Sequence, residues 1–231
     1  MDMKFVGERR ALAAIVFVVW ALFYLVLAMS MMQPQLSPAF YAVGGVYMLA
    51  FFALVAGYFW ARWYAIGVGL YGVFVGVIGM WQMGPEPLIL FIGGSHLVGV
   101  LALWGEGMTS PFDGKTAWRE KFHMDENAVR RLGNSVIKAG ASLPVVLLYA
   151  LAPKQPSSAI VVIAAVICSA FGLRGLIKAK TWGVIALGLA GAIMATVGAT
   201  HMALVPAISG ALLLSAAAPF LLPMLRYVRT V

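Results

Sequence analysis

Charged residues and cysteine are both scarce in this chain. Only 10% of its 231 residues are Asp, Glu, Lys or Arg, and Cys168 is its one cysteine. A single cysteine excludes an intrachain disulfide. The low charge accompanies 63% hydrophobic residues and a mean hydropathy of +0.96, values that lie far outside the balance of soluble globular proteins. The composition therefore indicates an integral membrane protein.

Acidic residues are rarer still, and none falls inside a long apolar run. Five of the eight lie between Gly105 and Gly133, and the others are Asp2, Glu8 and Glu86. Buried carboxylates serve most ion-coupled transporters, so this distribution disfavours a proton-coupled pump. The sequence also shows no catalytic, metal-binding or phosphate-binding motif. It thus favours a non-enzymatic protein and predicts no metal site.

Eight apolar runs are long enough to form membrane-spanning helices. Prolines cluster between the runs on one side, where a proline at a helix start costs little. The first run is read as a retained helix, because the apolar core of a signal peptide has only about 7–15 residues. The predicted fold is an all-α bundle with eight transmembrane helices, at 11–32, 39–60, 63–83, 87–104, 134–152, 157–176, 181–202 and 205–225.

The 16 Lys and Arg residues are distributed unevenly across these runs. Fifteen fall at ends on one side, and only Lys154 falls on the other. Short cationic loops resist translocation, so the pattern predicts both termini in the cytoplasm, at a plasma membrane or a bacterial inner membrane. The net charge of +8 then reflects contact with anionic lipids at the cytoplasmic face, and no nucleic-acid partner is expected.

A shift of 119 residues aligns the third run with the seventh. Nine residues of the segment 63–89 are identical at this shift, from Trp63/Trp182 to Ile89/Ile208. About three identities are expected by chance in so narrow an alphabet. Because four spans return the chain to its starting side, we predict two parallel four-helix repeats, 1–104 and 134–231. The cytoplasmic loop 105–133 between them is expected to carry a short amphipathic helix at 115–124.

Small residues recur at helical spacing in the two aligned runs. A stripe of this kind lets helix backbones approach closely in lipid, where van der Waals contact drives association. We therefore expect the third and seventh helices to lie at the centre of the fold. The predicted packing residues are Gly69, Gly72, Gly76 and Gly79 in the third helix, and Gly188, Gly191, Ala195 and Gly198 in the seventh.

A few polar residues lie in or beside the apolar runs and are the candidates for binding. Lys138 falls inside the fifth run, where it either extends to the inner headgroups or faces an anionic ligand in the bundle. His96 lies near the middle of the fourth run and His201 near the outer end of the seventh. Their different depths disfavour paired haem ligation, so no cofactor is predicted, and packing is the alternative role for each. Gln82 and Asn134 complete the set.

Three classes of function stay open at this stage. The first is a structural or accessory subunit of a larger membrane assembly, which contacts other membrane subunits or further copies of itself; the glycine-rich faces favour it. The second is a carrier for a small or lipidic substrate, with a cavity between the two repeats. The third is a membrane enzyme that acts on lipid or quinone through His96 or Lys138, and it has the least support.

Overall fold

The computed structural model describes residues 5–30, 33–108, 112, 126–153 and 156–230. The predicted amphipathic helix at 115–124 lies outside these residues. Within them the secondary structure is helical throughout, with two short 3-10 helices at Pro34–Leu36 and Glu106–Met108. The α-helices are α1 (Val6–Met29), α2 (Ser37–Ala56), α3 (Ala61–Met83), α4 (Pro87–Leu103), α5 (Glu126–Leu151), α6 (Pro156–Ile177), α7 (Thr181–Thr200) and α8 (Leu204–Thr230).

Seven of the eight helices in the described ranges are long and apolar enough to cross a membrane. This indicates an integral membrane protein, as the composition predicted. The exception is α4, whose 17 residues extend about 25 Å at 1.5 Å per residue. That length is short of the roughly 30 Å hydrocarbon core of a typical bilayer.

The helix boundaries follow the sequence signals, with one large difference. Glycines with positive φ end two helices, Gly57 after α2 and Gly84 after α3, because a left-handed residue lets the chain turn away at little cost. The fifth helix begins at Glu126 rather than at the predicted 134. Its first turns are amphipathic, and they bury Val129 and Leu132 against the bundle while their charged residues face outwards.

The helices pack in the same order within each half of the chain. In the first half, α1 and α3 each pack against α2 and α4; in the second, α5 and α7 each pack against α6 and α8. The two halves meet through α5, which also lies along α3 and α2. Helices α3 and α5 run parallel, because Trp63 contacts Gly133 and Gly67 contacts Gly140 further along.

The expectation that α3 and α7 together form the centre of the fold is only half right. Helix α3 contacts α5, α4 and α2, but among the described helices α7 packs closely only on α6 and α8. The central position belongs to α5, which packs on α2, α3, α6 and α8. Its glycines explain the difference: a Cβ at Gly140 would lie 3.1 Å from the Tyr64 carbonyl oxygen of α3, so the backbones of α3 and α5 are close.

Three arginines lie together at one end of the first four helices, which we call the basic end. They donate hydrogen bonds to carbonyl groups in the last turns of α2 and α4, where the backbone has no helical partner. Cations are favourable there because these carbonyls form the negative end of the helix dipole. The bonds are Arg9 Nε to Ala102 O (3.0 Å), Arg10 Nε to Leu54 O (2.7 Å) and Arg62 Nε to Leu103 O (2.9 Å). The opposite end, which carries Pro34, Pro85 and Pro153, we call the proline end.

Candidate functional site

A lateral crevice lies between α3, α5 and α8, where the two halves of the chain meet. It encloses about 370 Å³, which is within the range of small-molecule sites. Its walls are almost entirely apolar. They are formed by Leu70, Tyr71, Val73, Phe74 and Val77 of α3, by Ala141, Ser142 and Val145 of α5, and by Val205, Ile208, Ser209 and Leu212 of α8.

The crevice continues towards the proline end. A second cavity of about 500 Å³ shares Tyr71, Phe74, Val145 and Val205 with the first and has Gln82 at its far end. Because they share these walls, the two cavities adjoin each other where the two halves of the chain meet. Gln82, one of the predicted binding residues, is exposed and lines the second cavity.

The serines of the crevice are occupied by contacts within the protein. Ser142 Oγ donates to the carbonyl of Lys138 at 3.0 Å, and Ser142 and Ser209 exchange longer bonds of 3.5 Å between hydroxyl and carbonyl across α5 and α8. Both side chains are buried. A buried hydroxyl needs such partners, and these partners leave little polar character in the wall. The crevice is therefore suited to an aliphatic chain rather than to a charged headgroup.

Lys138 does not line the crevice. It lies one turn before Ser142 on α5, is half-buried, and its Nζ donates to the carbonyl of Ser215 on α8 at 3.3 Å. The side chain thus links α5 to α8, two of the three helices that form the crevice. A lysine with this bond contributes to the α5–α8 contact directly, which neither of the two roles considered from the sequence included.

His96 is buried in the first half of the chain, where polar and aromatic groups surround it. Its Nδ1 lies 2.7 Å from the carbonyl of Ile92, and its Nε2 lies 2.8 Å from the hydroxyl of Tyr47. A carbonyl can only accept, so Nδ1 carries the proton and Nε2 accepts from the tyrosine. The Trp20 ring lies 4.5 Å from the imidazole, centroid to centroid, at an angle of 34°. Both ring nitrogens are therefore used within the protein.

The remaining predicted binding residues lie apart from one another. His201 is exposed and borders a separate cavity with Tyr149 and Ser158 near the end of α7. Asn134 is exposed at the basic end. Asn134 lies one turn before Lys138 on α5, but His96, His201 and Gln82 lie elsewhere, so the structure does not bring the five predicted residues into one site.

The predicted small-residue stripes lie at interfaces with the following helix. In α3, a Cβ at Gly69 would lie 2.6 Å from Val100 Cγ2, and a Cβ at Gly76 would lie 2.5 Å from the Gly93 Cα. At Gly72 it would overlap the His96 ring, and at Gly79 it would lie 3.0 Å from Ile89. All four neighbours belong to α4.

The stripe of α7 faces α8 in a similar way. A Cβ at Gly191 would lie 2.7 Å from Leu214 N, and one at Gly198 would lie 2.5 Å from Ala207 N. Ala195 contacts Gly210. Gly188 is looser, because its nearest neighbour, the Ala217 Cβ, is 3.9 Å away.

A cavity between the two halves was part of the carrier hypothesis, but neither the residues that line the crevice nor the partners of His96 were predicted from the sequence. Tyr47 and Trp20 lie 49 and 76 residues before His96, and a single sequence has no signal for such pairs. Tyrosines in the interior of apolar runs were a usable sign, because a buried phenol needs a partner. No family model matches the chain, and neither a curated protein nor a solved structure is similar to it at a significant level.

Proposed function

We propose that this protein is a non-enzymatic multi-pass membrane protein that binds the hydrophobic chain of a lipidic ligand in the crevice between its two halves. The crevice itself is the observation that carries the proposal. Its walls come from α3, α5 and α8 and are apolar, and the adjoining cavity towards the proline end is lined by one amide side chain, that of the exposed Gln82. An aliphatic chain has no favourable hydration to lose when it enters a site with such walls, whereas an ion or a sugar would lose its hydration free energy.

The proposed topology has eight spans with both termini in the cytoplasm. Helix α4 is counted as a span because it packs antiparallel to α1 and α3 and reaches both of their ends. Arg9 and Arg62, near the starts of α1 and α3, donate to the last carbonyls of α4. At the other end, Ile89 in the first turn of α4 contacts Gly79 of α3. The basic end is assigned to the cytoplasm by the cation distribution, which places it against anionic lipids.

Two parallel repeats are the proposed origin of the architecture. The equal order of helix packing in α1–α4 and α5–α8 supports this, as does the small-residue face that the third helix of each half turns to the fourth. The halves are not joined symmetrically, because α3 packs on α5 while α7 and α1 form no comparable pair. The crevice lies at this asymmetric junction.

A role as a structural or accessory subunit of a larger membrane assembly remains compatible with crevice binding. In that role the bound lipid would be a permanent part of the fold, and partner subunits or further copies would cover other faces. The enzymatic alternative has less support, because both nitrogens of His96 and the ammonium of Lys138 are bonded to groups of the protein itself.

The proposal is tested by what the purified protein retains. The protein is extracted in a mild detergent, washed, and analysed by mass spectrometry for bound lipid and for co-purifying protein. Ala141→Phe places a ring in the crevice, and Ala192→Phe makes the same change at an exposed position of α7. We expect Ala141→Phe to lose most of the lipid that the wild type and Ala192→Phe keep. Equal lipid content in all three proteins would exclude the crevice as the site.

A further inference from the structure

A further cavity, at the basic end, has a different chemistry from the crevice. It encloses about 290 Å³ between the start of α3, the end of α4 and the start of α5. We call it the arginine recess and define it by Arg62, Trp63, Ile66, Trp104, Arg130 and Asn134. We propose that the arginine recess binds the phosphate headgroup of an anionic phospholipid from the leaflet at the basic end.

The walls of the recess are held in place by contacts within the protein. Arg62 donates to the carbonyls of Leu103 at 2.9 Å and Gly105 at 2.8 Å, so its guanidinium is fixed at the end of α4. Trp63 lies against Gly133, where a Cβ would be only 2.8 Å from the indole nitrogen. The glycine thus makes the space that the indole fills, and the Trp63 ring is held in place in the wall of the recess.

Among the described residues, the charge of the recess is positive. Arg62 and Arg130 both line it, and none of the described residues in its lining is acidic. The carbonyls at the end of α4 do not cancel this charge, because Arg62 and Arg9 together bring two full charges to a helix end that carries about half a charge. A phosphodiester with one negative charge complements this surface.

Arg130 and Asn134 supply the donors for such a group. They lie four residues apart on α5 and therefore share one helical face, and both are exposed. Within the described part of the chain, neither forms a hydrogen bond or an ion pair. A guanidinium and an amide side by side can each donate to a phosphate oxygen.

The depth of the recess favours a lipid over a soluble ion. Trp63 and Trp104 both belong to the lining, and indoles prefer the headgroup layer of a membrane. Ile137 of α5, which also lines the recess and is only half-buried, continues the wall beyond the tryptophans and offers an apolar surface to the first part of an acyl chain. A phosphate bound to Arg130 would thus have its glycerol and chains directed along the helices into the bilayer.

The test measures thermal unfolding of the purified full-length chain in detergent with added dioleoyl phosphatidylglycerol, dioleoyl phosphatidylcholine or inorganic phosphate. Arg130→Gln removes the proposed anchor, and Arg131→Gln removes the same charge from the neighbouring exposed position outside the recess. We expect phosphatidylglycerol to raise the midpoint of the wild type and of Arg131→Gln at similar concentrations. Arg130→Gln should need an about tenfold higher concentration of phosphatidylglycerol for the same rise in midpoint, since the loss of a charge-assisted hydrogen bond weakens binding by about this factor.

Three results would overturn the proposal. Equal weakening in Arg130→Gln and Arg131→Gln would assign the effect to general surface charge. Equal stabilisation by phosphatidylcholine would remove the need for an anionic headgroup, and equal stabilisation by inorganic phosphate would assign the recess to a soluble ion. Asn134→Ala provides a second variant, for which we expect about threefold weaker binding. The outcome does not depend on the crevice, because Ala141 is not one of the residues that line the recess and Ala141→Phe should therefore keep the response to phosphatidylglycerol.

Discussion

The hydroxyl of Tyr47 lies 2.8 Å from Nε2 of His96, and this bond joins α2 to α4 inside the first half of the bundle. These helices do not form a closely packed pair, so the side-chain bond is a direct link between them. The Trp20 ring of α1 lies against the same imidazole in a tilted arrangement, and its Nε1 donates to the Ser95 hydroxyl at 3.1 Å. Helices α1, α2 and α4 therefore meet at His96. Gly72 of the remaining helix in this half, α3, leaves the space for the histidine ring.

Replacing Tyr47 by Phe should destabilise the protein by about 1–3 kcal/mol, because His96 Nε2 would remain buried without a donor. Thermal or denaturant unfolding in detergent measures the change. Tyr41→Phe is the matched control, since Tyr41 lies on the same helix and is 47% exposed. Equal stability of the two variants would mean that the Tyr47 bond contributes nothing to the fold.

Replacing Gly72 by Ala should cost about 1–3 kcal/mol, because the new Cβ would overlap the His96 ring and two hydrogen bonds hold that ring in place. Gly94→Ala in α4 is the control, since nothing lies within 4 Å of its added Cβ. Unfolding midpoints of the two variants provide the comparison. A Gly72→Ala protein as stable as Gly94→Ala would contradict close packing of α3 on α4.

Replacing Ser135 by Ala should stabilise the protein. The Ser135 hydroxyl is buried, and within the described residues it has no hydrogen-bond partner. Removing an unsatisfied hydroxyl recovers part of its desolvation cost, about 1 kcal/mol. Ser142→Ala is the contrasting variant, because Ser142 bonds to the Lys138 carbonyl and should gain nothing from the change. A lower unfolding midpoint for Ser135→Ala would show that this hydroxyl has a partner.

Replacing Lys138 by Leu should lower stability by about 1–2 kcal/mol, since the Ser215 carbonyl on α8 loses its donor. Lys138→Arg should retain most of the stability, because guanidinium also donates. Lys178→Leu is the control for loss of an exposed cation. If lipid content changes in Lys138→Leu while the unfolding midpoint does not, the lysine has a role in binding rather than in the α5–α8 contact.

The proposed orientation predicts the labelling pattern of single cysteines. In a Cys168→Ala background, cysteines at Gln35 and Pro85 of the proline end should react with a membrane-impermeant reagent in intact cells. Lys178 is also exposed, but it follows the end of α6 that lies away from the proline end. A cysteine at this position should react only after permeabilisation. Labelling of the Lys178 position in intact cells would reverse the assignment.

Much of the helical framework was predictable because a bilayer restricts the choices. Apolar runs must satisfy their backbone groups internally and so become helices, and glycine and proline mark their ends. Predicted bounds such as 63–83 and 87–104 agree closely with α3 and α4. The start of α5 was missed, because residues 126–133 are polar enough to resemble a loop and become helical where they pack on the bundle.

The sequence by itself determined the order and most of the bounds of the eight long helices in the described residues, since hydropathy and turn residues act locally. It also determined where close contacts are possible, because a glycine at Gly72 or Gly140 permits them whatever the neighbour. Only the tertiary structure decided which neighbour is used. The choice of α5 over α7 as the central helix, the pairing of Tyr47 with His96, and the apolar crevice between α3, α5 and α8 all depend on surfaces from distant parts of the chain, whose complementarity appears only when the helices are packed.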